Sequence, residues 1–170
     1  MKNKPVHFHP RFPLLIVLML LFGAAGSPAA LLEVEQVIWG MDCAPCAYGM
    51  QRGLEKLPGV EKVTVSLNRG NATLMLARGN KLSLSAIRRV VNEGGFTSKE
   101  ATVLVEGTLH AGGGHLRLRT EGADYALTPP AADPVAWNKL RQTETGAKLT
   151  IRGRLPADSA NEITVEDVAP

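Results

Sequence analysis

The sequence predicts an α+β protein in two parts, and three observations carry that prediction. Between residues 30 and 99 the apolar period switches between two and about 3.6, in the order βαββαβ. From residue 100 to 170 five short β-rich runs follow, with one helical stretch between the third and fourth. Residues 1–29 belong to neither part and read as a leader.

In the first part, "LEVEQVIW" is a β-rich run with apolar Val34, Val37 and Ile38. After a cysteine-bearing loop, Cys46, Met50, Leu54 and Leu57 recur at helical spacing, and "PGV" at Pro58 to Val60 stops the helix. "VEKVTVSLN" alternates, with Val63, Val65 and Leu67 on one face, and "RGN" turns the chain into "ATLMLA", where Ala72, Leu74 and Leu76 alternate likewise. A second helix has Ser83 as its N-cap, a stripe of Ile87, Val90 and Val91, and Gly94 and Gly95 as its stop. "FTSKEATV" supplies the last strand of this part.

The second part holds "TVLVEGTL", "HLRLRT", "DYALTP", "KLTIRGRL" and "NEITVEDV", separated by glycine- or proline-containing turns. "DPVAWNKLRQ" is the helix among them, with Asp133 as N-cap and Pro134 at the first helical position. Five strands with a helix between the third and fourth resemble an OB-fold barrel. Trp137 is expected to plug it. The predicted boundary lies between residues 99 and 100, with no flexible linker.

The leader has Lys2, Lys4 and Arg11 before "FPLLIVLMLLFGAA" and small residues in "GSPAA". Its apolar run is shorter than the roughly 20 residues of a membrane span. It predicts a cleaved signal peptide, cut after Ala29, and a periplasmic or secreted protein; an uncleaved N-terminal anchor is the alternative. The leader also explains the sequence pI near 9.0. Without its three cations the remaining basic residues balance the 16 acidic ones.

The chain's two cysteines, Cys43 and Cys46, stand in "GMDCAPC". That spacing is open to a disulfide, a redox pair or a metal site. Thiolates are soft ligands that suit Cu(I). Backbone N–H groups at the start of a helix stabilise negative sulfur. A structural zinc site wants four ligands and an iron–sulfur cluster four cysteines, so one pair serves both poorly. A thioredoxin-like redox site would follow a βαβ unit, and only one strand precedes this motif.

Gly40, Met41, Cys43 and Cys46, with Leu54, Gly59-Val60, Val63, Ile87 and Gly95-Phe96 at their spacing, resemble the heavy-metal-associated domain over residues 33 to about 99. The resemblance implies a ferredoxin-like fold and a non-enzymatic site at Cys43 and Cys46 that captures and transfers one soft ion. Cu(I) is the first choice, Hg(II) the second, and Zn(II) fits less well. The implied partner is a membrane metal transporter or another metal-binding protein. Met41 is expected to pack in the core, Asp42 to sit solvated at the loop, and Phe96 to shield the sulfurs where cytoplasmic chaperones of that family often carry a lysine. Tyr48 either faces the site or lines the helix. The rival function is a thiol–disulfide oxidoreductase using the same pair.

From residue 100 on there are 7 basic and 10 acidic residues, with Tyr125 and Trp137 the aromatics. A nucleic-acid binder needs a positive groove and stacking platforms, so that class is excluded. Residues 30–99 carry 9 basic and 6 acidic residues. The opposite signs suggest that the two parts dock, the barrel covering or presenting the metal loop. His110 and His115 flank "AGGG" and are candidates for a weak second metal site.

Overall fold

Ala30–Trp39 form β1, whose inward side chains Leu31, Val34, Gln36 and Ile38 are buried. The computed structural model describes residues 29–132 and 134–170. The signal peptide expected over residues 1–29, through position 28, and the cap expected at Asp133 lie outside the described residues. Next come α1 (Ala44–Leu54), β2 (Val60–Ser66), β3 (Asn71–Leu76) and α2 (Leu84–Glu93). Then follow β4 (Thr97–Gly112), β5 (His115–Arg119), β6 (Asp124–Thr128), α3 (Val135–Arg141), β7 (Lys148–Leu155) and β8 (Glu162–Ala169).

The first part is a four-stranded antiparallel sheet in the order β2-β3-β1-β4, with α1 and α2 supplying the helices of the ferredoxin-like arrangement. Each helix begins as its sequence dictates. The Cys43 sulfur accepts the Cys46 N–H at 3.1 Å and Pro45 occupies the first turn, so α1 starts there. Met50 and Leu54, four apart, are its buried pair. In α2 the Ser83 hydroxyl accepts from the Ala86 N–H at 3.4 Å, and Leu84, Ile87 and Val91 face inward.

β4, β5, β6, β8 and β7 form the second part, and β7 returns to pair with β4, closing a five-stranded barrel. Its β6–β8 pairing is parallel and the others are antiparallel. α3 lies between β6 and β7 in the chain, as the OB-like pattern requires. It starts at Val135, one residue later than the sequence suggests, with Pro134 in front of it. The fully buried side chain of α3 is Leu140, while Trp137 is only partly buried against the core.

One difference from the sequence reading matters most. "FTSKEATV" and "TVLVEGTL" are a single 16-residue strand, β4, and the boundary drawn between 99 and 100 falls inside it. Ala101, Val103, Val105, Gly107 and Leu109 are buried in unbroken period-two order, and the pairing with β1 runs from Thr97 to Glu106, across the expected boundary, without a turn. One edge of β4 pairs with β1, placing Val34 opposite Val103, and the other pairs with β7, placing Val105 opposite Ile151. Buried residues from both parts therefore join one hydrophobic core.

Arg88 of α2 crosses the seam. Its guanidinium donates to the Gln36 side-chain oxygen at 3.2 Å, to the Lys99 carbonyl at 3.0 Å, and to the carbonyls of Pro156, Ala157 and Ser159 in the β7–β8 turn at 2.8, 3.3 and 2.8 Å. Burial lowers its pKa, with Asp158 opposing. The ion pair Arg78–Glu106 spans the same junction, and Pro170 lies beside these two residues. The two parts are thus united by a common strand, a common core and this clasp, and the charge docking expected from their net signs is a minor contribution.

Candidate metal centre

The loop Gly40–Cys43 carries the chain from the end of β1 to the start of α1. Gly40 takes φ +87°, a left-handed conformation that suits glycine and lets the chain turn away from the sheet. Met41 is buried in the core at 5% exposure, which agrees with the packing role expected for it. Asp42, Cys43 and Cys46 follow it: Asp42 is exposed, and both cysteines are half-buried.

In this structure Cys43 and Cys46 are joined in a disulfide, with their Cα atoms 5.1 Å apart. Of the three forms that the spacing leaves open, the bridge is the one present here. The geometry that closes it also brings two reduced sulfurs to one ion, because residue 46 returns one helical turn above residue 43. Two electrons and two protons convert the bridge to the ligand pair. The Asp42 carboxylate lies with both sulfurs in a group whose ligand atoms are all within 4.8 Å of one another. Asp42 is exposed at the loop, in keeping with the solvated position expected of it, and its carboxylate is near enough to the sulfurs to be a candidate third donor.

Phe96, just before β4, stands beside the loop: a Cβ placed on Gly40 would lie 3.9 Å from its ring. It also lines, with Cys46, a cleft of about 330 Å³ between α1 and α2. The other walls are Pro45, Met50 and Val90, together with Gly49, Gly53 and Gly94. No barrel residue lines this cleft, because the loop sits at the Trp39 end of β1 and the barrel pairing starts at Ala101. Among the described residues, the barrel therefore contributes nothing to the cleft beside the loop. Tyr48 is 69% exposed on α1. Trp39, which the sequence did not mark as a site residue, is 62% exposed, with the Lys99 ammonium 3.8 Å from its ring centroid.

His110 and His115 share the outer face of the β4–β5 hairpin. His110 lies opposite Arg117, and His115 opposite Gly112. An arginine across from one histidine disfavours a cation there. Among the described residues the one group of three or more potential ligands is Asp42, Cys43 and Cys46.

Residues 37–97 match the model of the heavy-metal-associated domain. Human copper-transporting ATPase 2 is 29% identical over 132 residues, a match covering 74% of this chain and 8% of the ATPase. The chain thus spans under a tenth of that relative's length. Among solved structures, the yeast copper transporter domain Ccc2a is 25% identical with a TM-score of 0.37, covering 39% of this chain and 90% of that one. Oxidised MerP from Ralstonia metallidurans CH34 is 25% identical with a TM-score of 0.38, covering 41% of this chain and 94% of that one. With the cysteine pair at the mouth of α1 and the strand order β2-β3-β1-β4 around it, residues 37–97 of this chain are similar to the heavy-metal-associated domain in both sequence and arrangement.

Proposed function

We propose that this chain is an exported metal carrier. It holds one soft ion, Cu(I) in the first place and Hg(II) in the second, between the reduced sulfurs of Cys43 and Cys46. It then passes the ion to a membrane metal transporter or another metal-binding protein. The observation that supports this best is the pair's position: two half-buried sulfurs near the Trp39 end of β1 and at a helix N-terminus, inside the segment that matches the family model.

The chemistry follows from the residues. Thiolates favour soft ions. Once reduced, Cys43 keeps the Cys46 N–H as a hydrogen-bond donor, and the α1 dipole stabilises negative charge on both sulfurs. Two sulfurs suit linear coordination and leave one side open for a partner's thiolate. The ion then moves by ligand exchange without release into water. No bond of a substrate is made or broken, so the site is a carrier rather than a catalyst. The leader supports export, and N-terminal sequencing of the secreted protein tests it. Mature chains beginning near Ala30 are the expected result.

A titration of the reduced full chain with Cu(I) and Hg(II), in competition with a calibrated chelator, tests the central reading. One equivalent of either ion should bind, and serine at both cysteines should abolish it. A second reading, thiol–disulfide exchange, is favoured by the closed bridge itself. It predicts catalytic reduction of insulin at rates above those of a free dithiol; the carrier reading predicts none.

A further inference from the structure

Gly49 and Gly53 lie one turn apart on α1, in a helix of only 11 residues. Glycine in a helix interior costs stability relative to alanine, so each calls for a reason. Gly53 has one, since a Cβ there would meet Val90 Cγ1 at 3.3 Å. Gly49 has no such reason: a Cβ would find nothing within 4 Å, and its backbone is ordinary helix. Gly49 is instead part of the wall of the cleft beside Cys46, where a glycine adds no side chain to narrow it. That cleft is lined largely by apolar atoms, and Cys46 forms part of its wall. A benzene ring fits a cavity of about 150 Å³, less than half of the space here.

The geometry points to an additional ligand class for this site: a soft organometal cation carrying an aryl group, of which phenylmercury is the simplest. The metal is held by the cysteine sulfur and the ring lies in the cleft left open at Gly49. This rests on the carrier reading above and specifies which mercury species the site prefers. The chemistry balances without a catalyst. A dithiol first reduces the Cys43–Cys46 bridge and is itself oxidised to a disulfide. The Cys46 thiolate then displaces the halide or hydroxide from the phenylmercury ion, forming a sulfur–mercury bond while the mercury–carbon bond stays intact. Water leaves the cleft as the ring enters it, and this apolar burial is the source of the preference.

The test compares phenylmercury, methylmercury and inorganic Hg(II) on the reduced full chain, each in competition with a calibrated thiol. Wild type, Gly49→Ala and Gly49→Leu are measured. Wild type should prefer phenylmercury over methylmercury by about tenfold or more beyond the competitor's own preference. Gly49→Leu, whose side chain fills the cleft, should remove most of that preference while leaving the affinity for Hg(II) unchanged. Gly49→Ala should fall between them and raise the thermal midpoint, which guards against a folding artefact. An absent preference in wild type, or one that survives in Gly49→Leu, overturns the cleft assignment while Hg(II) binding upholds the carrier reading. Loss of Hg(II) binding alone in wild type overturns this inference; loss of both Cu(I) and Hg(II) binding overturns the carrier reading, and this inference with it.

Discussion

Cys43 has two roles, since its sulfur caps α1 and is one of the two proposed ligands. Serine keeps a cap and removes the soft ligand. Under reducing conditions Cys43→Ser should therefore shift unfolding in urea by less than Cys43→Ala, which loses about 1 kcal/mol of capping. Both should abolish tight Cu(I) binding in a chelator competition. The Asp42 carboxylate lies within reach of the proposed ligand pair, and oxygen ligands suit harder ions than sulfur does. Asp42→Asn should weaken Zn(II) binding by about tenfold and leave Cu(I) nearly unchanged, as read by paired titrations. Tyr125 is a different case, buried in the barrel at 1% exposure with a hydroxyl that has no partner among the described residues. Burial pushes its pKa up to about 12. The neutral phenol is thus the folded-state form: its contribution is complete below the unfolded value near 10 and is lost as pH rises through about 12. Tyr125→Phe should be neutral or stabilising at pH 7, and should lose less stability than wild type in denaturation series between about pH 10 and 12.

At the scale of elements, α1 and its loop were legible because Cys46, Met50 and Leu54 repeat at 3.6-residue spacing directly after the motif. The second helix was legible for the same reason, and Ser83 caps it as read. What α2 does at its other face was hidden. Arg88 interrupts an apolar stripe, and a helical arginine ordinarily reads as solvated. Its five acceptors come from β1, from the start of β4 and from the β7–β8 turn, up to 71 positions away. No local pattern announces such a cluster. Arg88→Met should orphan these groups and cost about 2–4 kcal/mol, measured by urea unfolding. Lysine should rescue only a fraction, since it lacks the planar fork that reaches several carbonyls at once. Gly59 is the comparable backbone case, at φ +86° with Asn80 Cβ 2.6 Å from where its own Cβ would be.

For the molecule as a whole, the barrel was legible as five strands and a helix, and its attachment was not. Periodicity gives the face each side chain takes, but pairing across 50 or more positions decides which strands are one. β4 serves the sheet with β1 and the barrel with β7 over Ala101–Thr108, so neither part has a strand it can give up. Unfolding of the full chain should follow a single transition by circular dichroism and by tryptophan fluorescence. A chain ended at residue 99 should fail to fold cooperatively, because the pairing of Ala30 to Gln36 with Ala101 to Glu106 is gone. Two independent transitions would show the parts to be separable after all.

The pairing of Ala30 with Glu106 at one end of β1, and of Trp39 with Thr97 at the other, fixes a direction in the molecule. Pro170 lies next to Arg78 and Glu106, so the described chain starts and finishes near the same pole. The sulfurs are at the opposite pole, a ten-residue strand away, or about 30 Å. A tether or surface fixed at Ala30 or at Pro170 would hold the described residues like a torch by its handle, with the cysteines outermost.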